Sequence, residues 1–156
     1  MTDGLALYPG SFDPFTLGHL DIVERASRLF REVEVTVADN VAKKGFLPVD
    51  ERCDLIRECT AHLENVAVRS FSGLLASYAM DRGAVALVRG LRQVSDFEYE
   101  FRMAFANRRL APGIETIFLM TSEEYALISS SIVREIHLWN GDISSFVPEP
   151  VRRALS

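Results

Sequence analysis

Tyr8-Pro9-Gly10-Ser11-Phe12-Asp13-Pro14-Phe15-Thr16-Leu17-Gly18-His19 is the stretch on which the reading of the fold turns. It follows the apolar run Leu5-Ala6-Leu7 and precedes Leu20, Val23, Ser27 and Phe30, which recur every three or four residues as one helical face does. The stretch therefore reads as strand, loop, helix. Two glycines and two prolines in the loop imply tight backbone turns, and the helix beyond offers free N–H groups at its positive end, where an anion can sit. A phosphate site is expected there, with His19 in the first helical turn beside it.

The same alternation continues along the chain. Val33 to Ala38 is β-branched and alternating and closes on Asp39-Asn40, which predicts a second strand. Pro48, Asp50 and Glu51 signal a helix start, and Leu55, Ile56, Cys59 and Leu63 carry its apolar stripe to Asn65. Val66 to Phe71 reads as strand three, Gly73 to Asp81 as a short helix, and the continuous apolar run Ala84 to Val88 as a strand buried on both faces. Ser95 and Glu98 match a capping box for a long helix over about Asp96 to Leu110. Pro112-Gly113 breaks it before strand five, Glu115 to Met120. Ser129-Ser130-Ser131 caps a further helix ending at Asn140-Gly141, and Pro148 and Pro150 flank a last short one. The expected fold is α/β, a Rossmann-like, doubly wound, five-stranded parallel sheet with helices on both faces and a helical C-terminal region.

With 156 residues, 48% hydrophobic and 25% charged, the chain suits one domain over 1–156 with a sizeable core. A net charge of -5 argues against sequence-independent nucleic-acid binding, which needs an excess of Lys and Arg. No apolar run has the length of a membrane span, and the N-terminus has no basic start before its first apolar residues, so a cytoplasmic protein with no membrane partner is expected. Cys53 and Cys59 fit neither a redox pair nor a metal knuckle and read as buried structural thiols.

In a parallel sheet, ligands sit at the carboxyl ends of the strands. There the chain places Ser11 and His19 after strand one, Lys43 and Lys44 after strand two, Arg89 and Arg92 after strand four, and Ser129 to Ser131 beyond strand five. An acidic chain that gathers cations, hydroxyls and helix starts on one edge suits a small polyanion. Each element also has a plainer reading. His19 alone fits a helix-start histidine, Lys43 and Lys44 a solvated loop, and the serines a simple cap. A surface salt bridge would be an uneconomical use of Arg89 and Arg92, which favours phosphate contact. Glu100 and Asn107 share a helix face and fit a cleft wall or an ordinary polar face equally, Glu135 is as ambiguous, and His62 and His137 read as structural. With no carboxylate pair, Ser-His-Asp order or metal-ligand cluster, the set suits phosphoryl or nucleotidyl transfer, in which the protein positions charged reactants.

Tyr8-Pro-Gly-Ser-Phe-Asp-Pro with Thr16-Leu-Gly-His19, Arg89-Gly-Leu-Arg92 with Asp96-Phe-Glu-Tyr-Glu100, and Ile128-Ser-Ser-Ser131 resemble the bacterial phosphopantetheine adenylyltransferase family. The T/H-x-G-H element alone marks only the wider nucleotidyltransferase superfamily; the R-G-L-R and D-F-E-Y-E pair is more specific. The resemblance implies that ATP and 4'-phosphopantetheine give dephospho-coenzyme A and pyrophosphate, with Mg2+, in the penultimate step of coenzyme A biosynthesis. It implies catalytic roles for His19, Ser11, Lys43 and Arg92. ATP would be held by Ser11, Phe12, His19, Gly90, Leu91, Arg92, Glu100 and the run Tyr125, Ala126, Leu127, Ile128, Ser129, Ser130 and Ser131. The acceptor would be held by Ser11, Lys43, Leu74, Leu75, Arg89, Asn107 and Glu135. It further implies a homohexamer and coenzyme A as a regulatory ligand.

Some positions depart from the family pattern. Ser11 stands where threonine is also common, Leu75 where others carry methionine, and Thr121 where some have proline; none removes a charge or donor. The competing readings are a related enzyme acting on nicotinate mononucleotide or a small phosphorylated alcohol, and a non-catalytic ATP-sensing module. The Leu74-Leu75 pair suits a pantetheine arm better than a nicotinate ring, and a sensor has no need of His19 with two arginines.

Overall fold

The computed structural model describes residues 2–40, 42 and 44–156; Lys43, expected at the acceptor side, lies outside the described residues. The strands are β1 (Thr2–Gly10), β2 (Phe30–Ala38), β3 (Val66–Phe71), β4 (Ala84–Leu91) and β5 (Glu115–Met120). The helices are α1 (Leu17–Leu29), α2 (Val49–Cys59), α3 (Leu75–Asp81), α4 (Val94–Leu110), α5 (Ser130–Leu138) and α6 (Glu149–Ala154), with a 3-10 turn at Glu123–Tyr125. All four strand pairings are parallel and the order is β3-β2-β1-β4-β5. The chain therefore winds outward from β1 on one side, then crosses to β4 on the other. That reversal opens a crevice between the carboxyl ends of β1 and β4.

Alternation along the strands feeds two cores. Ala6, Tyr8, Val33, Val35, Val37, Ala86 and Val88 pack with Ile22, Val23 and Ala26 of α1, Ile56 of α2, Val133 of α5 and Val151 of α6. On the opposite face Leu7 and Leu87 pack with Ala76 and Ala79 of α3, and Ala111 and Ile114 beyond α4 close that layer. Each fully buried Val, Leu or Ile contributes about 1.5–3 kcal/mol, so the double layer is the main source of stability. Gly90 permits a close approach of β4 to α1: a Cβ there would lie 3.1 Å from Ile22 Cγ1.

Several boundaries differ from the sequence expectation, each for a local reason. β4 runs through Leu91 because it pairs with β5 as far as Met120, so Arg89 and Gly90 are strand residues and not loop residues. Phe30 opens β2 and does not continue α1. The stripe of α2 ends at Cys59, where the Thr60 hydroxyl bonds the Ile56 carbonyl. The Ser95 and Glu98 capping box is absent: α4 starts at Val94 after Gln93, so Ser95 already lies inside the first turn. The expected glycine turns are also absent, since Gly10 is in β1 and Gly18 in α1; the left-handed residue of the loop is Phe12, at φ 50°. Both cysteines are buried and free, as expected, and burial pushes the Cys59 thiol up to about 12.

Candidate active site

The crevice at the strand reversal is a cavity of about 590 Å³, lined by residues after β1, at the end of β4, along the first turns of α4 and at the start of α5. Phe12 and Phe15 anchor the loop between β1 and α1. Phe12 is buried in its left-handed conformation, its ring meeting Tyr8, Phe15 and His19 at centroid distances of 5.2, 5.6 and 5.0 Å. Such strain persists only where packing holds it, and here it turns the chain sharply beneath the cavity.

The loop ends on Thr16, which caps α1. Its Oγ1 accepts from His19 N–H at 3.3 Å, while its own N–H donates to His19 Nδ1 at 3.0 Å. The Thr16 hydroxyl also lies 3.1 Å from Nδ1. A histidine thus completes a capping box in the place usually taken by Glu or Gln. With Nδ1 receiving a proton donor, the ring carries its own hydrogen on Nε2, the nitrogen on its other side. Burial, then the fields of Arg92 and Arg89, lower the His19 pKa to about 3. His19 is therefore a neutral hydrogen-bond donor in the cavity wall. Beside it, burial raises the Tyr8 phenol well above its ordinary value, so Tyr8 stays protonated.

Three guanidiniums reach the cavity. Arg89 donates Nε and Nη2 to Glu100 at 2.8 and 2.6 Å and Nη1 to the Pro9 carbonyl at 2.7 Å. Burial opposes its charge, but the Glu100 pair outweighs this and raises its pKa. Arg92 lies 3.3 Å from Asp96 and donates to the Ile128 carbonyl at 3.1 Å. Both expected phosphate contacts are therefore ion-paired with α4. The expectation against salt bridges is corrected: the acids project from the helix that directly follows these arginines and fix their direction. Arg134 of α5 is the third, donating to the Asp13 carbonyl at 2.5 Å, with no carboxylate partner among the described residues.

Two helix starts face the same space. In α5, Ser129 Oγ accepts from Ile132 N–H at 3.2 Å and Ser130 Oγ donates to the Pro14 carbonyl at 2.8 Å. The Ser130 and Ser131 N–H groups are left without protein acceptors among the described residues. In α1, Leu17 N–H donates to Phe146 and His19 N–H to Thr16, which leaves Gly18 N–H similarly open. Open backbone N–H groups at two positive helix ends are an anion cradle. Three or more His, Cys, Asp or Glu side chains do not gather around a metal position among the described residues.

Of the residues singled out in the sequence, the cavity collects Ser11, Phe12, His19, Arg89, Gly90, Arg92, Glu100, Ile128, Ser129, Ser130 and Ser131. Leu91 is buried at the end of β4, and Tyr125 approaches Gly18 of α1 from the 3-10 turn, with Ala126 and the largely exposed Leu127 following it. Leu74 and Leu75 start α3, Asn107 lies in the last turns of α4 and Glu135 is exposed on α5; none of these four lines the cavity. Conversely, Asp13, Thr16, Tyr99 and Arg134 line it and were not singled out. Arg134 was accessible to sequence reasoning, because it stands three residues after Ser131 and so shares its helix face.

Residues 7–136 match the cytidylyltransferase-like family model. The chain is 53% identical over 97% of its length to the phosphopantetheine adenylyltransferase of Syntrophomonas wolfei, covering 94% of that protein. It is 52% identical over 94% of its length to the phosphopantetheine adenylyltransferase of Heliobacterium modesticaldum, covering 88% of it. The fold also matches a crystal structure from Vibrio parahaemolyticus, provisionally assigned as a nicotinate-nucleotide adenylyltransferase, at a TM-score of 0.70 over 99% of both chains, with 20% identity. With the glycine-poor loop, the histidine capping box and the arginines of β4 and α5 gathered at one sheet reversal, these relationships show that the chain belongs to the phosphopantetheine adenylyltransferase family of cytidylyltransferase-like proteins.

Proposed function

We propose that the chain transfers the adenylyl group of ATP to 4'-phosphopantetheine, giving dephospho-coenzyme A and pyrophosphate, by direct in-line attack without a covalent intermediate. The acceptor comes from relatives that are more than half identical along nearly the whole chain. The observation that carries the chemistry is the tautomer of His19: a neutral ring with its proton on Nε2 is suited to bond an oxygen of the α-phosphate as charge builds there. It is poorly suited to act as a general base, and an acceptor phosphate already ionised at neutral pH needs none.

The remaining roles follow from position. Ser11 stands between the two reactants; Phe12 and the open N–H groups of Gly18, Ser130 and Ser131 meet ATP phosphates, with Arg92 and Arg134 supplying charge. Gly90, Leu91, Glu100 and the Tyr125 to Ile128 run are proposed at the nucleotide, with Glu100 also orienting Arg89 on the acceptor side. Arg89, with Lys43, Leu74, Leu75, Asn107 and Glu135 carried over by position, is proposed at the acceptor. The cavity carboxylates do not form a metal cage, because Asp13 is bonded to backbone N–H groups, Asp96 lies against Arg92 and Glu100 is paired with Arg89. Magnesium, which neutralises phosphate charge when bound, would thus accompany the triphosphate.

The homohexamer is proposed on the support of an apolar face: Val94, Phe97, Phe101 and Phe105 of α4 are exposed on this chain. Coenzyme A, which shares the pantetheine arm and the adenylate, is proposed as a regulatory ligand, and a cytoplasmic setting is proposed as well; no helix among the described residues is long and apolar enough to cross a membrane. The test is pyrophosphate release by purified protein with ATP, magnesium and one acceptor at a time. Turnover with 4'-phosphopantetheine is expected. Turnover with nicotinate mononucleotide alone would reassign the acceptor, and ATP binding with no pyrophosphate release would favour a sensor.

A further inference from the structure

Arg52, in the first turns of α2, is buried although charged, and no carboxylate pairs with it among the described residues. Its guanidinium is spent on backbone carbonyls of three different segments. Nη1 donates to Ser11 at 2.6 Å and to Ala38 at 3.2 Å, and Nε donates to Leu47 at 3.1 Å. A buried cation without a directly paired carboxylate is expensive, and capping a helix or filling a gap does not require one. What this geometry does achieve is to join the reaction loop after β1 to both ends of the segment between β2 and α2.

Asp13 makes the reciprocal connection. Its carboxylate, on the reaction loop, accepts from Phe46 N–H at 2.7 Å and Leu47 N–H at 2.8 Å. Its backbone carbonyl meanwhile takes Arg134 of α5. Gly45 is seated directly over the clamp: a Cβ there would lie 3.0 Å from Asp13 Oδ2, 3.0 Å from the Leu47 carbonyl and 3.7 Å from Arg52 Nη2. A side chain at 45 would therefore crowd the Asp13 carboxylate and the Leu47 carbonyl by a few tenths of an ångström.

We infer that Arg52 and Asp13 are positioning residues that hold the segment entering α2 in register with Ser11, and that through this clamp they govern placement of the acceptor more than that of ATP. The inference rests on the proposed reading of this segment, through Lys43, as the acceptor side. Neither residue touches the reacting atoms; both act through backbone they hold. The clamp is asymmetric by construction. Its side-chain bonds reach the end of β1, the end of β2 and the start of α2, whereas the α5 cradle for phosphates meets the same loop through backbone carbonyls, Ser130 on Pro14 and Arg134 on Asp13, which the side-chain variants leave in place.

The test uses Asp13→Asn, Arg52→Lys and Gly45→Ala in the full chain. Asp13→Asn keeps one carbonyl acceptor where two oxygens were used, Arg52→Lys keeps the charge but loses the fork, and Gly45→Ala leaves both clamp side chains intact while crowding the contact between them and the segment. With ATP and 4'-phosphopantetheine, kcat/KM for the acceptor should fall about tenfold or more while KM for ATP changes less than about twofold. Equal losses for both substrates, tracking a lowered Tm, would overturn the inference in favour of a general structural role, as would unchanged acceptor kinetics in all three variants. Amide hydrogen exchange reads the clamp without any turnover: Phe46 and Leu47 N–H should be protected in the parent chain and exchange faster in Asp13→Asn. Protection lost in the variant while the parent shows no transfer to phosphopantetheine sinks the functional reading and leaves the clamp standing; equal exchange in parent and variant sinks the clamp itself. If Asp13→Asn does not fold, Gly45→Ala carries the same kinetic comparison.

Discussion

Thr16 places two donors on Nδ1 of His19, its N–H at 3.0 Å and its hydroxyl at 3.1 Å, and with this the ring is committed to one tautomer before any ligand arrives. His19→Asn should lower kcat by several powers of ten while ATP affinity, measured by calorimetry, changes little, because the Nε2–H bond strengthens mainly in the transition state. An equal loss in binding would contradict this role. Thr16→Val should remove the side-chain cap at a cost of about 1 kcal/mol in denaturant unfolding, while its backbone N–H, still donating to Nδ1, keeps the ring in the same tautomer. Nitrogen chemical shifts of the His19 ring should still show an unprotonated Nδ1 and a protonated Nε2, and kcat should fall far less than in His19→Asn while the fold persists. His19 was legible in the sequence as a candidate for the crevice that it lines. Its role as donor was not, because the tautomer depends on a backbone N–H three residues away, which is seen only once the loop is folded.

Among the elements, β2 carries an unexpected burden. Glu34 is wholly buried on the face toward α3, where its carboxylate receives Tyr78 OH at 2.6 Å and Arg82 Nε and Nη2 at 3.0 and 2.7 Å. Arg69 of β3 adds a fourth contact at 3.4 Å. Burial, then the bond to Glu34, push the Tyr78 phenol up to about 12, so it serves as a donor throughout the physiological range. Glu34→Ala would strand two arginines and a phenol around an empty site. Removing one partner of a buried charge network costs about 3–5 kcal/mol, and urea unfolding should show a loss of that order. KM and kcat should change far less, since these residues are not part of the cavity wall. The alternation of Val33, Val35 and Val37 made β2 readable as a strand, but alternation assigns Glu34 to solvent by default. Its partners are 35 to 48 positions away, and only the strand pairing brings them together.

For the molecule as a whole, acid sensitivity follows from His19. Its folded pKa is depressed to about 3 from an ordinary 6.5, so above that ordinary value neither folded nor unfolded chain takes the proton. As pH falls through the window between them, the unfolded chain binds a proton that the folded chain refuses, and stability declines. His19→Asn should flatten this limb of a plot of Tm against pH, measured between about pH 4 and pH 7. Association belongs to the same scale. Phe105 is 57% exposed and stacks edge-on with Phe101 at a centroid distance of 4.7 Å, on the unpartnered side of α4. Phe105→Glu should shift the protein to smaller species in light scattering, with ATP binding retained. By itself, the sequence determined the succession of strands and helices, the loop from Tyr8 to His19 and many of the residues that line the crevice. Each of these depends on periods and turn chemistry spanning a few neighbouring positions. Only the tertiary structure decided the reversal of strand order at β1 and β4, the pairing of Arg89 with Glu100, the arrival of Arg134 and the Arg52 and Asp13 clamp. Those contacts join segments far apart in the chain, and their partners become neighbours only when the sheet closes and its two hydrophobic faces are covered.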